Sequence, residues 1–199
     1  MSTLLLWRHP KPRDVAGRCI GHTDVSVDPR KIKRLAHRIR RVARQQKLPR
    51  VVVTSGLQRC ALVGRCLTSW GWEHRVDARL SEMNFGTWDG LAWADISVAD
   101  IDAWCADFGA HEPGGGESVA QVLSRCRAVV NDFSAASEPT CLVAHAGWIS
   151  ALIWLKTQLD VLPTSADWPL AVAYGSEHRF ELKSLNPQTR SAADPTRLH

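Results

Sequence analysis

The chain has 199 residues and a formal net charge of +5, with 45% hydrophobic and 23% charged residues. These proportions are ordinary for a globular protein, and a chain of this length can bury a sizeable core in one domain. No apolar run approaches the roughly 20 residues that a membrane-spanning helix needs, and the first residues lack the pattern of a secretory signal. We therefore expect a cytoplasmic protein that does not bind membranes.

Three short apolar runs predict buried strands. They are continuous rather than alternating, as expected for strands that are covered on both faces of a parallel sheet. A helical pattern follows each run, so the sequence predicts an α/β fold of three layers, with a mostly parallel central sheet and helices on both faces. The runs are Leu4–Trp7, Val51–Val53 and Cys141–Ala144.

The first helix is predicted to begin near Asp28, a suitable N-cap, with Pro29 at the first helical position. Nine Lys or Arg residues and no acid lie between Arg30 and Lys47, and without these nine the rest of the chain carries a net negative charge. The basicity is therefore local. A solvated outer face explains it more simply than nucleic-acid binding, because no nucleic-acid motif or interleaved aromatic residues accompany it.

Three further helices are predicted along the rest of the chain. One covers residues 57–70, one begins at Ser118, and one follows His145 directly. The hydroxyl of Ser118 and the side chain of Gln121 have the spacing of a capping box, which marks the start of the third helix.

Residues 79–116 are predicted to form an insertion at the active site that carries short helices and closes with a glycine-rich turn. Two late segments, 170–174 and 178–182, are predicted as edge strands, and the polar tail at 186–199 is predicted to be frayed. No repeat or linker divides the sequence, so we expect residues 1–199 to form one domain.

Chemically active side chains follow the three predicted strands. Arg8 and His9 follow the first, Arg59 lies in the first turn of the helix after the second, and His145 follows the third. Ligands bind beyond the carboxyl ends of parallel strands, so these residues are expected at one edge of the sheet. Arginine pairs bidentately with phosphate, and histidine can act there as a nucleophile or a donor. The pattern predicts a phosphate site.

Each residue alone has a simpler explanation. His9 and His145 could be strand-end histidines that are bonded to backbone, Arg59 a surface arginine, and Glu82 an ordinary loop carboxylate. Their joint placement favours the phosphate site. No triphosphate-binding glycine loop or metal motif is present, so neither a cofactor nor a metal is expected. The six cysteines lack zinc spacing, and free, buried thiols are the simplest interpretation.

The sequence resembles the histidine phosphatase superfamily, which includes the cofactor-dependent phosphoglycerate mutases. The resemblance rests on five motifs that occur in the family's order and span most of the chain. They are Leu5–Pro10 (LLWRHP), Thr54–Ala61 (TSGLQRCA), Leu80–Gly90 (LSEMNFGTWDG), Pro113–Ser118 (PGGGES) and Val143–Gly147 (VAHAG). The resemblance implies a fold like that of phosphoglycerate mutase.

The resemblance also implies a catalytic role for five residues. His9 would attack phosphorus and carry the phosphohistidine. Arg8, Arg59 and His145 would hold the phosphate oxygens in the transition state. Glu82 would protonate the leaving oxygen and then accept a proton from the hydrolytic water.

Further phosphate contacts are implied for Gly21, in the family-like loop 17–24, and for Ala146 at the start of the last helix. Two positions depart from the family. Pro10 stands where glycine is usual and lacks a backbone N–H, and Val15 lies near a phosphate-binding asparagine of many members. Neither departure removes a catalytic group.

Within the family, the short chain, the Arg-His-Pro start and the G-x-C-x-G-x-x-D loop resemble α-ribazole phosphatases of cobalamin biosynthesis. We therefore expect a metal-independent phosphomonoesterase whose partner is a small molecule, α-ribazole 5′-phosphate. The alternatives are a phosphatase of another small phosphomonoester, a phosphoglycerate mutase, or an inactive scaffold that binds an acidic partner through the basic helix at 29–47. The oligomeric state stays open.

Overall fold

A central sheet organises the structure. The computed structural model describes residues 2–135, 138–158 and 161–182, so the tail expected to fray, 186–199, lies outside the described residues. Within this part, five strands follow the order β3-β2-β4-β1-β5, with β1 to β4 parallel and β5 antiparallel at the edge. The strands are β1 (Ser2–Arg8), β2 (Val51–Thr54), β3 (Glu73–Val76), β4 (Thr140–Ala144) and β5 (Glu177–Leu182).

Helices cover both faces of this sheet, which confirms the predicted three-layer α/β fold. They are α1 (Pro29–Gln45), α2 (Gln58–Thr68), α3 (Val98–Ala106), α4 (Val119–Ser134) and α5 (Ala146–Thr157). In β1, Leu4 and Leu6 pack with α4 and α5, whereas Leu5 and Trp7 pack with α1 and α2. No helix in the described part of the chain is long and apolar enough to cross a membrane.

Helix α1 begins where the sequence predicts. Asp28 is its N-cap and accepts a hydrogen bond from the backbone N–H of Arg30 at 2.8 Å, and Pro29 is the first helical residue. The apolar stripe of the helix is buried against the sheet, and its cations lie on the outer face. Among the described residues, no carboxylate forms a salt bridge with this basic face.

Two edge segments differ from the prediction. Strand β3 was not predicted, because its sequence is polar and mostly exposed. Its parallel pairing with β2, and not an apolar run of its own, makes it a strand. The prediction of a strand at 170–174 is wrong. Leu170 is 91% exposed, and the Val172 carbonyl accepts a hydrogen bond from the Arg8 side chain instead of joining a ladder.

Candidate active site

The carboxyl ends of β1, β2 and β4 meet at one edge of the sheet, because β4 lies between the other two strands. The backbone N–H of His9 donates to the Ala144 carbonyl at the end of β4, at 3.0 Å. The ring centroids of His9 and His145 lie 5.0 Å apart. Arg59, near the start of α2, donates from Nε to Nδ1 of His145 at 3.1 Å. The predicted residues of three strand ends therefore form one cluster.

The His9 imidazole is buried and held in one tautomer. Its Nδ1 lies 2.8 Å from the Pro10 carbonyl, which can only accept, so Nδ1 carries the proton and Nε2 keeps its lone pair. Burial, together with the positive charges of Arg59 and Arg8, holds the pKa of His9 well below its ordinary value. The neutral, nucleophilic form is therefore the form present near neutral pH.

His145 is held in the opposite tautomer. Its Nδ1 accepts from Arg59, so Nε2 carries the proton and donates to the Ser55 hydroxyl at 2.7 Å. Burial, together with the electrostatic interactions with His9 and Arg59, holds the pKa of His145 well below its ordinary value. The ring is neutral and rigidly oriented at the start of α5.

The Arg59 guanidinium is a buried cation without a carboxylate partner among the described residues. Its side chain is bound by His145, by the Thr23 carbonyl at 2.9 Å and by the Gly21 carbonyl. These partners satisfy hydrogen bonds but do not neutralise the charge. A buried positive charge that is surrounded by neutral acceptors favours the binding of an anion.

Arg8 adds a second cation to the site. Its Cζ lies 3.7 Å from the centroid of the Tyr174 ring, and Nη1 donates to the Val172 carbonyl. Its Nε is buried and has no hydrogen-bond partner within the described residues. Tyr174 also lies 5.5 Å from the His9 ring, and sequence reasoning missed it because its segment was assigned to a strand. The unpartnered Arg8 donor suits an incoming oxyanion.

Gly21 has a structural partner where a phosphate contact was expected. The Asp89 carboxylate accepts from the backbone N–H groups of Gly21 and Thr23, at 3.0 Å each, and from that of His22. Burial alone would raise the pKa of Asp89, but these hydrogen bonds lower it below its ordinary value. The loop therefore holds its own carboxylate, and the Gly21 carbonyl positions Arg59.

The Glu82 carboxylate lies at the N-terminus of α5. Its Oε2 accepts from the backbone N–H of Gly147 at 3.2 Å, and its Oε1 accepts from that of Met83 at 3.1 Å. A Cβ at Gly147 would lie 2.4 Å from Oε1, so only glycine permits this approach. Ala146 is the first residue of the helix, where a backbone N–H has no intrahelical partner. A carboxyl group and helix donors thus share one end of the cluster.

A bidentate ion pair supports the Glu82 segment, and sequence reasoning did not identify it. Arg125 donates to both carboxylate oxygens of Glu117, at 2.7 and 3.0 Å. The same guanidinium binds the carbonyls of Arg79 and Ser81 at 2.7 Å each and that of Glu82 at 3.2 Å. Because the partners lie outside α4, only a cation within an otherwise amphipathic helix could have signalled these contacts.

Comparisons with known proteins agree with this geometry. The family model described as "Histidine phosphatase superfamily (branch 1)" matches residues 4–194. The glucosyl-3-phosphoglycerate phosphatase of Mycobacterium tuberculosis is 32% identical, with 78% of each chain covered. That of Mycolicibacterium vanbaalenii is 30% identical over 75% of this chain and 69% of the relative.

Solved structures are also similar to this chain. A mycobacterial glucosyl-3-phosphoglycerate phosphatase in complex with VO3 has a TM-score of 0.72 and 29% identity, covering 89% of this chain and 91% of that one. Bacillus stearothermophilus YhfR has a TM-score of 0.75 and 22% identity, with 92% of each chain covered, which is a likeness of fold.

The two buried histidines make stability depend on pH. A histidine whose pKa is lowered by folding stabilises the protein fully above its unfolded pKa of about 6.5, and this contribution is lost as the pH falls toward the folded value. The His9→Gln variant removes one such titrating group. We expect the unfolding free energy of the variant to fall less on acidification than that of the wild type. The slope of unfolding free energy against pH should be smaller by up to about 1.4 kcal/mol per pH unit. Urea unfolding between pH 7 and about 5.5 measures this, and equal slopes would contradict the lowered pKa of His9.

Removal of the Arg125 side chain tests the support under Glu82. In Arg125→Gln, the Glu117 carboxylate, only 17% exposed, loses its partner, so the unfolding free energy should fall by about 3 kcal/mol. The matched control is Arg79→Gln, whose ion pairs are more exposed and whose loss should cost under about 1 kcal/mol. Equal losses in the two variants by chemical denaturation would show that the buried pair has no special role.

Proposed function

This chain belongs to branch 1 of the histidine phosphatase superfamily, and from that premise we propose that it hydrolyses a small phosphomonoester through a phosphohistidine on Nε2 of His9. The observation that carries the proposal is the neutral, buried His9 with its proton on Nδ1, beside the cations of Arg8 and Arg59. A nucleophile and an anion site are thereby adjacent.

The first chemical step transfers the phosphoryl group to the enzyme. The Nε2 lone pair of His9 forms a bond to phosphorus as the bond from phosphorus to the leaving oxygen breaks. Protonated Glu82 gives its proton to that oxygen, so the product leaves as a neutral alcohol. Arg8, Arg59 and the N-terminus of α5 stabilise the charge on the other oxygens.

The second step returns the enzyme to its starting state. Water attacks the phosphohistidine, the Glu82 carboxylate takes a proton from this water, and the bond between phosphorus and Nε2 breaks. Inorganic phosphate leaves, with His9 again neutral and Glu82 again protonated. Both steps use side chains and backbone donors only, so the proposed reaction needs neither a metal ion nor a cofactor.

Two substrates are candidates for this reaction. The loop motifs resemble α-ribazole phosphatases, whereas the curated relatives are named glucosyl-3-phosphoglycerate phosphatases and share up to 32% identity with this chain. The relatives support a small phosphorylated substrate but do not support α-ribazole 5′-phosphate or a place in cobalamin biosynthesis specifically.

A cytoplasmic location is also proposed, because all six cysteines are free thiols.

Phosphate release by purified protein tests the proposal. With chelator and no added metal, the panel is α-ribazole 5′-phosphate, glucosyl-3-phosphoglycerate and 3-phosphoglycerate. We expect turnover of at least one ester, and His9→Ala should lower kcat at least about a thousandfold because the nucleophile is lost. The control is His37→Ala, which removes a histidine of α1 outside the site. Turnover that persists in His9→Ala, or that is absent from the wild type, would overturn the mechanism.

Gly147→Ala tests the position of Glu82. The new Cβ must displace the carboxylate, so proton transfer to the leaving oxygen should slow, with kcat for an alkyl phosphate at least about tenfold lower. The loss should be smaller for p-nitrophenyl phosphate, whose leaving group needs little protonation. Gly56→Ala is the matched control, because its Cβ would meet its nearest neighbour at 3.8 Å. An equal loss for both substrates would argue for a general disturbance of the site.

A further inference from the structure

A cavity of about 380 Å³ opens beside the candidate active site. Glu82 and Gly147 line one end of it, where the carboxylate meets the start of α5. The rest of the wall is mainly apolar and aromatic. Its large apolar side chains are those of Met83, Phe85, Trp104, Phe108, Trp168 and Leu170.

We propose that this cavity binds the leaving group of the substrate, and that this group is uncharged and carries a planar apolar moiety such as an aromatic ring. The inference rests on the proposed phosphatase function, to which it adds the chemical class of the alcohol that is released.

The direction of the reaction places the leaving group in this cavity. In an in-line displacement, the leaving oxygen lies on the side of phosphorus opposite to the attacking nitrogen. Glu82 is the proposed proton donor to that oxygen, and Glu82 lines the cavity. A second, cationic hollow, lined in part by Pro10, Lys11 and Arg34, adjoins the nucleophile instead, so the departing alcohol would not face it.

The charge of the lining argues for an uncharged alcohol. Among the described residues that line the cavity, Glu82 is the sole ionisable one, and none is Lys or Arg. A leaving group with a carboxylate would be placed near the Glu82 carboxyl and away from any neutralising cation. Burial of an unpaired charge is costly, so such a substrate should be disfavoured.

The aromatic wall argues for a flat apolar moiety. The rings of Phe108 and Trp168 lie 5.8 Å apart edge to face, and those of Trp104 and Phe108 lie 5.2 Å apart and stack. These contacts hold the rings in place before a ligand arrives. Leu170 lies at the rim and is 91% exposed, so an apolar ligand would cover a side chain that water now surrounds. An aromatic group offers both stacking and area burial.

The test compares esters of equally poor leaving alcohols. 2-(1-Naphthyl)ethyl phosphate and ethyl phosphate both release a primary alcohol and differ only in the ring. We expect kcat/KM to favour the naphthyl ester by at least about tenfold, and 3-phosphoglycerate to be no better than ethyl phosphate. Trp168→Ala and the surface variant Leu170→Ser should each lower the naphthyl preference at least about threefold, and the control Trp70→Ala should preserve it.

Binding of the matching phosphonates, measured by calorimetry on the intact protein, separates the two proposals. If the naphthyl phosphonate binds more tightly and Trp168→Ala removes this preference, the cavity proposal is supported even if no ester is hydrolysed. The absence of hydrolysis would then overturn the phosphatase function alone. Hydrolysis that depends on His9 but shows no naphthyl preference overturns the cavity proposal and leaves the phosphatase function standing. An unchanged naphthyl preference in both cavity variants also overturns it.

Discussion

The site depends on the charge of one buried arginine. The Arg59 guanidinium joins the end of β4, through His145, to the loop at Gly21 and Thr23, so a single side chain fixes three parts of the chain. Its partners are neutral, and its charge therefore acts on the surrounding groups. It helps to keep His9 unprotonated and sets the tautomer of His145. The cost of such a buried charge is offset when an anion binds.

The order of the strands determines which site residues lie next to one another. Because β4 lies between β1 and β2, His9 and His145 follow adjacent strands, while Arg59 arrives from the third. The Pro10 carbonyl then fixes a proton on Nδ1 of His9, and Arg59 fixes the His145 proton on Nε2. One ring keeps a lone pair for attack on phosphorus, and the other is held rigid by its neighbours. Neither arrangement requires a charged imidazole.

Local patterns predicted the parts of the structure that depend on neighbouring residues. Asp28 and Ser118 could be identified as caps because a cap acts within one helical turn, and buried strands could be identified from apolar runs. Asp89, Arg125 and Tyr174 could not, because their partners lie in other parts of the fold and an acid, a base or a ring alone indicates no partner. The site residues were therefore predictable as a set from their strand ends, but their supports were not.

Proline at position 10 is compatible with the proposed chemistry. Proline removes one backbone donor, and a hydrogen bond to an anion contributes about 1.5–3 kcal/mol in net terms. The carbonyl of Pro10 is kept, and it is this acceptor that orients His9. Arg8 and Arg59 each add a full positive charge and several donors, so the proposed anion binding depends mainly on these two cations. The chain can therefore lose the backbone donor at position 10. Neither the buried charges of Arg8 and Arg59 nor the tautomer of His9 depends on that donor.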